Sequence, residues 1–212
     1  MRAFAKVCSG ALTITFLLGP AGALADSGVY LGVGVSASDA RSFPSAGAPS
    51  GSDSSGTLGG LSVTLGNRFE TGGAFYGVEA NADFSLTGHL ENGGLSCSDG
   101  VASSLYFCDH TATVRLRGLA GTGVGKSDYE VFGTVGYAAM VGEGAIDTTG
   151  LTDTGAVSGF TFGFGIQREI IGGRLRAEVV RDRLETSLTK PGGTATPTWE
   201  ATSVIFSYVM DF

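Results

Sequence analysis

The 212-residue sequence is poor in the residues that build most metal and nucleic-acid sites. It has 2 His, 3 Cys and 1 Trp, and 13 basic side chains stand against 20 acidic ones. So few His and Cys leave little for a metal centre. The net charge of −7 argues against a nucleic-acid binder, which usually carries a basic face. No run of about 20 apolar residues occurs after residue 25, which excludes a polytopic helical membrane protein.

Glycine, by contrast, is abundant. There are 36 Gly, about one residue in six against a usual share of about 7%. They follow no G-X-Y period, so a collagen is excluded, and an apolar content of 42% is too high for a disordered chain. The composition therefore describes a glycine-rich, acidic chain of about one domain.

The first 25 residues have the organisation of an export signal. Two basic residues and an apolar stretch over 11–18 precede Ala23-Leu24-Ala25, which fits an A-x-A cleavage site. The apolar stretch is too short for a membrane anchor. We therefore expect export through the Sec pathway, cleavage between Ala25 and Asp26, and a mature domain over residues 26–212.

After residue 25, apolar residues alternate with small or polar ones at a period of two, in eight separate runs. The runs begin near Val29, Leu61, Tyr76, Ala112, Val131, Phe160, Leu175 and Val204. The seventh run is the poorest, because Val180 and Arg181 interrupt it near its end. No helical pattern of ten residues appears, so the sequence predicts an all-β fold rather than an α/β fold.

The connections between these runs alternate between long and short. The long ones cover about 37–57, 87–109, 142–156 and 185–198, and the short ones 70–73, 121–128 and 169–173. This alternation is typical of an outer-membrane β-barrel, with short periplasmic turns and four longer extracellular loops.

The polar face of the runs favours a membrane barrel over a secreted β-sandwich. It carries charges in mid-strand: Arg68, Glu79, Asp83, Arg115, Arg117, Glu130, Arg176 and Glu178. A wetted sandwich face would carry large charges at most positions. The lumen of an eight-stranded barrel is just wide enough for side chains, so glycines at 32, 34, 66, 77, 136, 163 and 165 would make room there for long Arg and Glu. The sequence thus predicts an eight-stranded antiparallel transmembrane barrel, with a secreted sandwich adhesin as the alternative.

The eight inward charges have two interpretations. Leaving one buried charge unpaired costs about 3–5 kcal/mol, so we expect a paired ladder that plugs the barrel. The alternative is a narrow gated pore whose ion pairs can switch.

The C-terminal segment carries a family resemblance. Apolar or aromatic residues stand at every second position up to the last residue: Val204, Phe206, Tyr208, Met210 and Phe212. This segment resembles the signal read by the barrel-insertion machinery of Gram-negative outer membranes. Residues 162–179 also resemble the penultimate hairpin of small OmpA-like or opacity-porin-like barrels, from which the sequence departs at Val180.

The resemblance implies a location and partners. It implies a cell outer-membrane protein in contact with membrane lipid and lipopolysaccharide, assembled by periplasmic chaperones and the insertion machinery. It also implies that the surface loops serve adhesion to an extracellular ligand, or membrane integrity, without enzymatic activity. A porin-like diffusion pore is the alternative function.

A glycine-rich segment and a pair of cysteines suggest other chemistry. Residues 120–127 (AGTGVGKS) fit a relaxed phosphate-binding loop, but a strand pattern follows where a helix is required, so we expect no nucleotide. Cys97 and Cys108 share one long connection, and an oxidising compartment favours a disulfide between them over free thiols.

Two histidines flank that same connection. His89 and His110 lie near Glu91, Asp99 and Asp109, and we expect a solvated polar loop rather than a cation site. A lipid-A deacylase would need a Ser beside its His on the lipid face, and the segment 110–113 contains none. We therefore expect no catalytic residue, cofactor, metal or nucleic-acid partner.

Overall fold

A computed structural model describes residues 27–43, 53–91, 107, 109–145, 152–185, 188–190, 193–195 and 198–212. The strands are β1 Ser27–Phe43, β2 Ser54–Thr71, β3 Ala74–Thr87, β4 Ala112–Gly123, β5 Tyr129–Ala145, β6 Thr152–Ile170, β7 Gly173–Glu185, β8 Leu188–Lys190, β9 Gly193–Ala195 and β10 Thr198–Asp211. In these parts of the chain, no helix is long and apolar enough to cross a membrane.

Eight of these strands close into one antiparallel barrel. Each long strand pairs with its neighbour in sequence, and β10 pairs with both β7 and β1. β8 and β9 form a separate two-stranded sheet within the last long connection. The predicted eight-stranded barrel is therefore confirmed, and the closed strand order excludes a two-sheet sandwich.

The two faces of the strands follow the predicted alternation. On β1 and β2, Val33 and Val63 point outward and are exposed, whereas Tyr30 and Thr64 point into the lumen and are buried. Outward apolar side chains run from Tyr76 to Leu86 on β3. With a rise of about 3.3 Å per residue on a strand tilted by about 40°, they form an apolar belt about 25 Å tall.

Aromatic pairs lie near both edges of this belt. Phe69 stacks on Tyr76 near the short turns, with ring centroids 5.4 Å apart. Tyr137 meets Phe160 edge-on at 6.2 Å near the opposite edge. An exterior that is apolar between two aromatic girdles is the architecture of an outer-membrane barrel. The end with the short turns is accordingly the periplasmic end, and the end with the long connections is the extracellular end.

β7 keeps its alternation to its last residue, so the predicted interruption at Val180 and Arg181 is wrong. Val180 points inward and is fully buried, Arg181 points outward, and the next two inward positions are Asp182 and Leu184. The pattern looked broken because Val180 puts an apolar side chain on an inward face that is polar up to Glu178, and Arg181 puts a charged one on the outer face.

Two of the predicted long connections are shorter than expected. β1 continues to Phe43 and β2 starts at Ser54, so the first connection is 44–53 rather than 37–57. The third is likewise 146–151 rather than 142–156. The strands extend beyond the belt as a collar, formed by residues 37–43, 54–59, 142–145, 152–157, 182–185 and 198–202. Its outward side chains include the charged Asp39, Arg41 and Arg183 beside the small Ala37 and Ala156, so apolar alternation stops there although pairing continues.

The short periplasmic turns lie where the sequence places them. One of the two two-residue turns joins Thr71 to Ala74 through Gly72 and Gly73, whose φ angles are +59° and +85°. These left-handed conformations favour glycine, because a Cβ would be strained there.

Candidate functional site: the barrel lumen

The middle of the lumen is filled by a network of ion pairs centred on Glu79. The Arg117 guanidinium donates to Glu79 Oε1 at 2.5 Å and to Glu178 Oε1 at 2.8 Å. Arg176 donates to Glu79 Oε2 at 2.8 Å, and the Tyr30 hydroxyl donates to the same oxygen at 2.7 Å. All five residues are buried. Since β3, β4, β7 and β1 each contribute, these contacts span the lumen.

A second layer lies nearer the extracellular end and is centred on Arg115. Its guanidinium donates to Asp182 Oδ1 at 3.0 Å and to Oδ2 at 2.6 Å, and it also contacts Asp83. Asn81 Oδ1 accepts a further bond from Arg115 at 2.7 Å. Asp182 is fully buried and was missed by the sequence analysis. Continuing the period of two through Val180 would have found it.

A third layer closes the periplasmic mouth. Arg68 makes two bonds to Glu130, at 2.8 and 2.6 Å, and its guanidinium lies 3.8 Å from the centre of the Phe75 ring. Arg174, a further arginine outside the eight predicted charges, donates to Asp211 Oδ1 at 2.6 Å. All eight predicted charged residues thus face the lumen, and each has a partner of opposite charge.

Two apolar clusters occupy the lumen around these layers. The lower cluster consists of Phe75, Leu119 and Phe132 near the periplasmic end. The upper cluster fills the extracellular mouth and consists of Ala40, Leu58, Leu90, Phe107, Ala138, Met140, Val157, Leu184, Trp199 and Ala201. The combination of paired charges and apolar clusters leaves the barrel filled by its own side chains.

The connection between β3 and β4 contributes to the upper cluster. The Phe107 amide donates to Ser42 Oγ at 2.9 Å, and its carbonyl accepts from Ser54 Oγ at 2.6 Å. Ser55 pairs with Glu91 as an isolated bridge. These bonds to β1 and β2 hold Leu90 and Phe107 over the mouth.

His110 is buried beneath this cluster rather than solvated in a loop. Its ring stacks on Trp199 with centroids 5.4 Å apart, and Ser85 Oγ and Thr113 Oγ1 lie 2.6 and 2.7 Å from its two nitrogens. Burial, and then the positive charge of Arg115, lowers the pKa of His110 to about 4.

The expected polar loop is therefore wrong for His110 but fits His89, which is exposed and 3.0 Å from Glu91. Asp99 lies outside the described residues. Within those residues, no three His, Cys, Asp or Glu side chains could together hold a metal ion.

Ser85 supplies the hydroxyl that the local sequence around His110 lacks. A Ser beside a His can act as a nucleophile when a third group orients the ring. Here a hydroxyl, Thr113 Oγ1, occupies the second ring nitrogen, and the pair lies inside the lumen rather than on the lipid face. The contact is therefore part of the packing below the upper cluster.

The inward glycines make room for more than arginine and glutamate. A Cβ on Gly163 would lie 2.7 Å from Glu178 Oε1, as predicted. A Cβ on Gly66 would instead lie 2.3 Å from Cζ of Tyr30, and one on Gly165 would lie 2.3 Å from Cζ of Phe132. Aromatic rings, rather than charged chains, thus occupy the space at two of the seven positions.

The remaining predicted sites divide into described and undescribed residues. The export signal with Ala25 and Asp26, and both Cys97 and Cys108, lie outside the described residues. In the C-terminal segment, Val204 and Phe206 point outward, and Phe212 is exposed. The segment 120–127 runs from the end of β4 into a turn, and β5 starts at Tyr129. The helix that a phosphate-binding loop needs is therefore replaced by a strand.

No protein-family model matches the chain, and no curated protein matches it either. Among solved structures, it is similar to neisserial surface protein A, with 11% identity, a TM-score of 0.46, and 86% of this chain and 97% of that one covered. It is also similar to Ail, the attachment invasion locus protein of Yersinia pestis, with 12% identity, a TM-score of 0.41, and coverage of 85% and 98%. The N-terminal β-barrel domain of Pseudomonas aeruginosa OprF gives 10% identity, a TM-score of 0.34, and coverage of 82% and 96%.

Proposed function

We propose that this protein is a non-enzymatic barrel of the Gram-negative outer membrane that acts through its extracellular end and does not conduct solutes. The observation that carries the proposal is the filled lumen. Three layers of ion pairs, from Arg68 to Asp182, lie between and beside two apolar clusters. A pore needs a continuous wetted path, and buried side chains occupy that path here.

The collar supports a role at the cell surface. Beyond the apolar belt, β1 continues from Ala37 to Phe43, which corresponds to about 15 Å along the barrel axis. Its outward residues Asp39 and Arg41 are exposed, as are Arg183 and Glu185 on β7. The collar thus lifts the long connections away from the lipid and presents charged side chains to an extracellular ligand. Adhesion or ligand contact uses this surface, and membrane integrity uses the filled barrel itself.

The experiment that tests a sealed lumen is conductance in planar bilayers. Refolded wild-type protein is expected to insert without discrete conductance steps above the bare membrane. Arg117→Ala is expected to destabilise the barrel, because Glu79 and Glu178 each lose a partner, and to leave the membrane non-conducting. Discrete wild-type steps, or steps that grow in Arg117→Ala, would support the gated pore instead.

Export and assembly complete the proposal. Cleavage between Ala25 and Asp26 would release the mature chain into the periplasm, where chaperones and the insertion machinery would read the segment from Val204 to Phe212. A Cys97–Cys108 disulfide would restrain the second extracellular connection. Mass spectrometry of unreduced protein from membranes measures the new N-terminus and the disulfide together.

A further inference from the structure

The outer surface of β5, β6, β7 and β10 carries a groove near the periplasmic edge of the belt. Strand register places Tyr129, Arg168, Leu175 and Tyr208 in one row across these four strands. The next row towards the extracellular end contains Val131, Ile166, Ala177 and Phe206. Ala177 is the small member of its row, so a notch opens between Ile166 and Phe206. The resulting groove has a volume of about 510 Å³.

The groove is apolar along its length and cationic at its periplasmic rim. Ile166, Leu175 and Phe206 form its exposed apolar walls. The Arg168 guanidinium lies at the rim, 5.2 Å from the centre of the Tyr129 ring. Asp128 stands 3.9 Å from Arg168 and is itself mostly exposed. An exposed pair at this distance is weak, so the guanidinium keeps donors free for another anion.

We propose that this groove binds one glycerophospholipid of the periplasmic leaflet, an inference that rests on the membrane placement proposed above. An acyl chain would lie over Ala177 between Ile166 and Phe206, and the phosphate would bind Arg168. Charge complementarity selects this occupant: a planar guanidinium binds phosphate through paired hydrogen bonds. The aromatic rings of Tyr129 and Tyr208 flank the rim, at the depth where aromatic girdles meet lipid headgroups.

The test is native mass spectrometry of the folded barrel titrated with palmitoyl-oleoyl phosphatidylethanolamine in detergent. Wild type is expected to hold one lipid. Arg168→Gln is expected to weaken binding about tenfold or more, because the charge-assisted bonds to the phosphate are lost. Ala177→Phe is expected to abolish binding by filling the notch.

Matched controls separate the groove from the rest of the surface. Arg183→Gln removes an exposed arginine at the opposite end, and Ala139→Phe enlarges an outward alanine on β5 outside the groove; both are expected to bind like wild type. The proposal would be overturned if Arg168→Gln and Ala177→Phe bound the phospholipid as tightly as wild type does. It would also be overturned if wild type bound diacylglycerol, which has no phosphate, as tightly as it binds the phospholipid. If wild type formed a dimer and Ala177→Phe were a monomer, the occupant of the groove would be a second copy of the chain instead.

Failure of the groove and failure of the membrane placement give different results. If wild type fractionates with membranes and migrates faster on a detergent gel before boiling than after, yet retains no lipid, only the groove is rejected. If wild type is soluble without detergent, the membrane placement fails first.

Discussion

Single buried charges in the lumen depend on their partners, and Arg115 is the clearest case. It is almost fully buried and is shared by Asp182, Asp83 and Asn81. Replacing Arg115 by Met would remove the cation that both buried carboxylates, Asp83 and Asp182, contact. Removing one partner of a buried ion pair typically costs about 3–5 kcal/mol. The free energy of unfolding in urea, measured in lipid vesicles, is expected to fall by that order.

The matched control is Arg183→Met on β7, the strand that carries Asp182. The Arg183 side chain is 67% exposed and lies 3.5 Å from Glu185 and 3.8 Å from Glu200. Exposed pairs of this kind contribute about 1 kcal/mol or less. If Arg115→Met proved no more destabilising than Arg183→Met, the ion-pair layers would have no structural role.

Gly66 must lack a side chain, because the Tyr30 ring occupies the space that a Cβ at this position would fill. Gly66→Ala would place a Cβ 2.3 Å from Cζ of Tyr30, and such overpacking costs about 1–3 kcal/mol. Gly133→Ala is the control, since its Cβ would meet nothing closer than 3.8 Å. Unfolding midpoints should fall for Gly66→Ala and stay level or rise for Gly133→Ala. Equal midpoints would contradict the inward placement of Tyr30.

At this scale the sequence predicts which side chains face inward but not which of them meet. The parity of Glu79, Arg117 and Glu178 follows from the period of two. Their contact across the lumen depends on strand tilt and stagger, which a single strand does not encode. Tyr30 has the polar-face parity of the first run, yet its bond to Glu79 has no signal in the sequence.

Whole strands are predictable where one face meets lipid and less so beyond it. The belt imposes apolar residues at every second position, and this signal located all eight barrel strands. In the collar, residues 37–42 of β1 and 54–57 of β2 are small or polar on both faces, so residues 37–43 and 54–57 looked like loop. β8 and β9 lie inside a predicted loop for a different reason: strands of three residues are too short to show an alternating pattern.

The connection between β3 and β4 gives a pH prediction. Above pH 6.5, the ordinary pKa of His, the imidazole of His110 is neutral in both the folded and the unfolded state. As the pH falls, only the unfolded state takes up the proton until about pH 4, the pKa of His110 in the folded protein. Folding stability therefore decreases between pH 6.5 and pH 4, by about 3 kcal/mol in total.

His110→Gln isolates this effect, because glutamine can still bond to hydroxyls but does not titrate. The difference in unfolding free energy between wild type and His110→Gln should shrink by about 2–3 kcal/mol from pH 7 to pH 4.5. The two proteins differ only at residue 110, so the comparison isolates the change at that side chain. A difference that stays constant with pH would mean that His110 is solvated rather than packed on Trp199.

For the whole molecule, the sequence predicts that the sheet closes into a barrel, but it does not predict that side chains fill the extracellular end of the lumen. Eight runs with alternating short and long connections predict an up-and-down barrel, and the last strand closes on the first. The upper cluster has no such signal. Leu184 and Trp199 face inward at a height where the outer surface is polar, so they interrupt the pattern instead of extending it, and Phe107 comes from a connection rather than a strand.

Which face of the strands meets lipid can be measured directly. Single spin labels at Val63, Val78, Phe162 and Phe206, on β2, β3, β6 and β10, can be probed in vesicles with oxygen, which enters bilayers, and with a water-soluble nickel chelate, which does not. An apolar stripe that faces lipid predicts strong oxygen and weak nickel accessibility at these four positions, and the reverse at Arg183 in the collar. Strong nickel accessibility at Val63, Val78, Phe162 and Phe206 would contradict this orientation of the strands.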